Sequence, residues 1–102
     1  MVLMTKKIKE RAEKQYKQGS SLKQMIVAKF FDPCGNFTWY LMNKDPEDTY
    51  CWGIVDGFAI EMGSFDIQEL QEYKGPLGIG IERDKFWTPI TAKELWTKLN
   101  RD

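Results

Sequence analysis

The densest group of reactive side chains is the triplet Glu82-Arg83-Asp84, two carboxylates flanking a guanidinium. Such a pair of carboxylates could face a metal or carry acid–base work, as in a small metal- or carboxylate-dependent enzyme. Arg83 could instead meet an anionic partner, or pair bidentately with a carboxylate of the fold such as Glu61 or Asp66. The structural pairing is favoured, because a hard cation needs more oxygens than two side chains supply. The chain contains no histidine. That removes the usual general base near neutral pH and the commonest zinc ligand. It also removes the Ser-His and Cys-His nucleophile arrangements. No catalytic residue and no metal ligand is therefore assigned, and no cofactor is expected.

The two cysteines, Cys34 and Cys51, are too few for a secreted disulfide framework. Cys34 sits in turn chemistry beside Pro33 and Gly35, and its charged neighbour Asp32 disfavours a thiolate. Cys51 reads as a small apolar residue on a strand. Gly75, Gly78 and Gly80 resemble a phosphate-cradling loop only superficially. A dinucleotide fingerprint lies between a strand and a helix N-terminus, whereas these glycines follow a helical pattern and lead into acidic residues.

Charge is balanced overall, with 15 basic and 15 acidic residues, but it is not evenly spread. Residues 1–24 carry seven Lys or Arg against two Glu, and the remainder is correspondingly acidic. Lys6, Lys7, Lys9, Arg11, Lys14 and Lys17 make the first segment a candidate nucleic-acid-binding helix. The alternative is a solvated helix laced by the pairs Glu10–Lys14 and Glu13–Lys17, each contributing about 0.3 kcal/mol. The second reading is the simpler one.

These residues must be held by elements whose periodicity is legible. The spacing of Met4, Ile8, Ala12 and Tyr16 predicts a helix over 5–18, capped by Thr5 and ended by Gly19, within a basic segment 1–19. A strand meander follows over 25–65, with strands at 25–31, 37–42, 50–55 and 58–64. In the second of these, Phe37, Trp39 and Leu41 alternate with Thr38, Tyr40 and Met42. Asp32-Pro33-Cys34-Gly35-Asn36 is a turn, residues 43–48 read as a polar loop, and Asp56-Gly57 is a strong hairpin signal. A short helix over 66–74 starts at the Asp66…Glu69 capping box. Residues 77–87 are extended or irregular, with Ile79 and Ile81 placed in a fifth strand. A last helix over 91–100 begins at the Thr91…Glu94 box and packs Ala92, Leu95, Trp96 and Leu99 inward. The expectation is an α+β domain spanning 1–102: an antiparallel four- to five-stranded meander sheet with N-terminal, short middle and C-terminal helices.

An aromatic content of 14% excludes a disordered chain and demands a ring-rich core. Some rings among Trp39, Tyr40, Trp52, Phe86 and Trp87 could remain as a contact patch. No apolar run reaches the length of a membrane span, no signal peptide is visible, and a cytoplasmic location is expected.

Several local patterns occur together: Phe31-Asp32-Pro33…Gly35…Thr38-Trp39-Tyr40, Asp45-Pro46, Gly53-Ile54-Val55…Gly57, Glu61-Met62-Gly63…Phe65, Glu69-Leu70, and Gly75-Pro76-Leu77-Gly78…Ile81-Glu82-Arg83-Asp84. Over residues 3–89 the chain resembles the bacterial domain of unknown function family 2958. Cys51-Trp52 and Ser64 depart from the expected pattern. The resemblance implies a small bacterial protein encoded on plasmids, phages or conjugative elements. It implies no activity and no catalytic residues.

The reading that follows is a non-catalytic protein-interaction or accessory module of bacterial mobile genetic elements. Its partner surface is assigned to Trp39, Tyr40, Glu82, Arg83 and Asp84. Nucleic-acid binding through the basic helix, and a small metal- or carboxylate-dependent enzyme, are the alternatives.

Overall fold

A computed structural model describes residues 1–101; Asp102, the last residue of the expected domain, lies outside the described residues. The architecture is α+β. Helix α1 (Lys6–Lys14) precedes strands β1 (Ala28–Phe31), β2 (Thr38–Lys44), β3 (Tyr50–Asp56) and β4 (Ile60–Asp66). Helix α2 (Ile67–Glu72), strand β5 (Glu82–Arg83) and helix α3 (Ala92–Leu99) follow. The strands form one antiparallel sheet in the order β4-β3-β2-β1-β5. Four strands are a meander, as short connections dictate; the fifth returns to lie beside β1.

Alternation along β2 divides the core in two. Leu41 joins Phe30, Cys51 and Phe65 under Leu3, Ala12 of α1 and Ile67 of α2, with Trp39 half-buried at the margin. Tyr40 and Met42 join Ile54 under Ala92 and Leu95 of α3. Each fully buried Leu, Ile or Phe contributes roughly 1.5–3 kcal/mol. The caps are those expected: Thr5, Asp66 and Thr91 each accept a backbone N–H from the first turn of their helix.

Several boundaries differ from the sequence expectation. The first α-helix stops at Lys14, and Tyr16–Gln18 is a 3-10 turn. Gln15 leaves the helical pattern as its amide ties β2 to the segment that precedes β1, donating to the carbonyls of Met42 and Met25 at 2.7 and 3.0 Å. Strand β2 runs on to Lys44 through an irregularity between Leu41 and Asn43. Asn43 and Lys44 are therefore buried, not in a polar loop. Asn43 Nδ2 donates to Gln24 Oε1 at 2.8 Å and to the Gly19 carbonyl at 2.9 Å, so a satisfied polar network closes the connection from α1.

Among the described residues, neither of the pairs expected within the first helix, Glu10–Lys14 and Glu13–Lys17, forms. Glu13 Oε2 instead meets Lys44 Nζ at 3.3 Å, across from helix to sheet. Asp56-Gly57 does lie in a reversal, but the loop holds three residues, Gly57-Phe58-Ala59, between paired Asp56 and Ile60. Phe58 is consequently at the loop tip, not in a strand. Gly57 leaves room for the Phe37 ring, which a Cβ there would push aside. The fifth strand begins beyond Ile79 and Ile81, because the Ile79 carbonyl accepts from Gly75 N–H at 2.8 Å and closes a separate turn.

Candidate functional site

Strand β5 is only two residues long, yet its register decides how the charged triplet is displayed. Phe31 lies opposite Glu82 and Phe30 opposite Arg83. The Asp84 N–H donates to the Lys29 carbonyl at 2.9 Å and extends the ladder. Cross-strand partners share a face and neighbours along a strand alternate. Glu82 and Asp84 thus stand on the α3 side of the sheet with Lys29 and Phe31, while Arg83 points to the α1 side.

There the Arg83 guanidinium donates through Nη1 to the backbone carbonyls of Val2 and Leu3. This corrects the expected pairing with Glu61 or Asp66. The guanidinium meets the N-terminal segment because that segment, not β4, crosses the α1 side beside β5.

On the other side the sheet is open. Lys29, Phe31, Asp32, Thr38, Glu82, Asp84, Lys85 and Phe86, with Met1 and Arg83 at the rim, line a basin of about 600 Å³. No helix contributes to its wall. Asp84 also shapes the turn that follows: its Oδ1 accepts the Phe86 N–H at 2.9 Å, and its carbonyl accepts the Trp87 N–H at 3.3 Å. That turn sends two adjacent rings to opposite fates. Trp87 is anchored, its Nε1 donating to the Ile26 carbonyl at 3.0 Å and its ring 5.7 Å from that of Tyr40. Phe86 is 93% exposed.

The five residues assigned to a partner surface are not brought together. Glu82, Arg83 and Asp84 share the basin. Tyr40 is buried, with Lys29 Nζ 5.9 Å above its ring. Burial, with smaller contributions from the charges of Asp56 and Asp84, pushes the Tyr40 phenol up. Trp39 faces the opposite side, 5.8 Å from Phe37, and lines a separate hollow of about 240 Å³ with Leu70, Tyr73 and Ile81. Lys29, Phe31, Asp32 and Thr38 were not singled out from the sequence. The alternation within 25–31 and 37–42 carries the signal for their face, but the pairing of β1 with β5 does not show in the chain.

Lys6, Lys7, Lys9, Arg11, Lys14 and Lys17 are all exposed. Among the described residues, none of them lies within ion-pair distance of a carboxylate; the two such pairs are Lys44–Glu13 and Lys98–Glu94. Cys34 is exposed, and Cys51 is buried as the sequence reading expects of a small apolar strand residue. Burial pushes the Cys51 thiol up to about 12. Among the described residues there is no group of three or more His, Cys, Asp or Glu placed to hold a metal ion, and no helix is long and apolar enough to cross a membrane. The basin combines side chains of both charges with one ring left in water, Phe86.

Comparison with known proteins adds one match. No curated protein and no solved structure matches the chain. One family pattern, described as protein of unknown function (DUF2958), matches residues 3–102, including the last helix that the local motifs left unaccounted for. The chain therefore belongs to the DUF2958 family of proteins of unknown function.

Proposed function

We propose that this protein is a non-catalytic interaction module, an accessory factor of bacterial mobile genetic elements acting in the cytoplasm. Its partner is a protein that covers the open end of the sheet at β1 and β5. The observation that carries the reading is Phe86, 93% exposed beside a basin lined by Asp32, Glu82 and Asp84 together with Lys29, Arg83 and Lys85. A ring left in water forgoes roughly 1.5–3 kcal/mol of burial. Aromatic residues surrounded by polar rims are the usual anchors of protein interfaces. The fitting partner offers an apolar pocket for the ring, with charged groups of both signs to meet the carboxylates and cations around it. The setting in mobile DNA rests on the family resemblance alone.

Tagged protein is used to capture partners from the host lysate, in parallel with Phe86→Ala and Glu82→Lys variants whose folding is checked by circular dichroism. The reading expects one stoichiometric partner, with recovery reduced at least about tenfold by Phe86→Ala, as loss of a hot-spot ring implies. Recovery of no stoichiometric partner, or equal recovery by the variants, overturns it.

A further inference from the structure

The basic helix has a feature that its sequence does not disclose. Lys7 and Arg11, one turn apart on α1, form one bank of a groove whose other bank is Arg83 and Lys85. Ile8, Val27, Trp87 and Pro89 make its apolar floor, and its volume is about 430 Å³. A second hollow of about 440 Å³ shares Arg11, Val27 and Pro89 and is lined by Lys14. On an α-helix rising 1.5 Å per residue, Lys7, Arg11 and Lys14 form a row roughly 10 Å long.

Among the described residues, neither Lys7, Arg11 and Lys14 nor Lys85 is in an ion pair. Asp84 is the one carboxylate of the groove. Its Oδ1 is already engaged by the Phe86 N–H. Arg83 has only Nη1 committed, to Val2 and Leu3, which leaves further donors of its fork. Four cations against one carboxylate, from two separate segments of chain, describe a site for a polyanion. Folding has brought Arg83 and Lys85 to the helix, and it has diverted Glu13 from helix cations to Lys44.

We propose that this groove binds the phosphate backbone of a single-stranded nucleic acid. A channel banked by cations on both sides, with an apolar floor containing a Trp, suits one strand with bases turned inward better than a duplex. The groove shares Arg83, Asp84 and Lys85 with the open basin on the α3 side, but its α1 bank, Lys7 and Arg11, and its apolar floor lie outside that basin, so the proposal does not rest on a protein docking there.

The test is fluorescence anisotropy of the full chain with a labelled single strand of about 20 nucleotides, and with a duplex of the same length. Binding at roughly 50 mM salt is expected to weaken with a log–log slope of about −2 to −3, the release of ions from three or four phosphates. Charge reversal at two exposed positions, Lys7→Glu with Arg11→Glu, is expected to weaken binding at least about tenfold. The matched double reversal Lys74→Glu with Lys98→Glu, away from the groove, is expected to change it less than about twofold. Absence of binding at low salt, tighter binding of the duplex, or equal losses in the two double variants overturns the proposal.

Discussion

Arg83 Nη1 donates to the backbone carbonyl of Val2, 81 residues away in sequence. The same nitrogen reaches the Leu3 carbonyl at 3.4 Å, while Gln71 accepts the Leu3 N–H at 2.9 Å and donates to the Met1 carbonyl at 2.6 Å. Leu3, fully buried, is thus seated by polar ties on both sides. Arg83→Lys removes the guanidinium whose Nη1 reaches both carbonyls and puts an ammonium on a stem one bond shorter. Stability falls by about 1–2 kcal/mol, read by denaturant titration. Hydrogen exchange at the Leu3 amide rises with it, since that amide depends on the same segment staying in place.

Glu13 separates two accounts of the first helix. As a surface i,i+4 partner of Lys17 it would contribute only about 0.3 kcal/mol. Its observed partner is Lys44, whose side chain is 8% exposed, against 23% for Glu13. Breaking a fully buried pair costs about 3–5 kcal/mol, and partial exposure of Glu13 reduces that. Glu13→Gln is expected to cost about 1–3 kcal/mol in chemical denaturation. A loss below about 0.5 kcal/mol returns Glu13 to the surface role.

Leu77 has φ 59° and is 98% exposed. The left-handed conformation costs a branched-chain residue about 1–2 kcal/mol, and an exposed side chain recovers nothing by packing. Leu77→Asn is expected to raise stability by roughly 0.5–1 kcal/mol, because Asn tolerates that region. A lower melting temperature in this variant would show that the leucine has a packing role.

The two thiols differ in reach and in acidity. Iodoacetamide near pH 8 is expected to label Cys34 in the native chain and Cys51 only after unfolding, read by intact mass. Burial raises the Cys51 thiol from 9.0 to about 12, so the folded state holds a proton that the unfolded chain has lost. The stability gained by keeping it is complete below about pH 9 and declines as pH rises from about 9 toward 12. Cys51→Ala is expected to flatten part of that decline.

Much of the architecture was legible because it rests on short-range pattern. Alternation at 37–42 separated Leu41 from Tyr40 onto two faces, and the caps Thr5, Asp66 and Thr91 marked three helices correctly. What failed depended on distant partners. Gln15 left its helix to bond Met25 and Met42, and Lys44 became buried because Glu13 faced it. Glu82 and Arg83 formed the edge strand only because β1 presented Phe31 and Phe30 opposite them. The candidate site was half legible for the same reason. Its triplet stood out by composition, whereas Lys29 and Phe31 joined it through pairing over some fifty residues. Tyr40 and Trp39, adjacent in sequence, were assigned to one surface although the pleat must send them to opposite sides.

The basin at β1 and β5 is tested most directly by photocross-linking from two exposed phenylalanines. Phe86 and Phe58 are 93% and 99% exposed, but only Phe86 borders the basin. A benzophenone amino acid is placed at either position, and the protein is irradiated in host lysate. The account predicts one discrete heavier adduct from position 86 and none from position 58. No adduct from 86, or the same adducts from both, would contradict it.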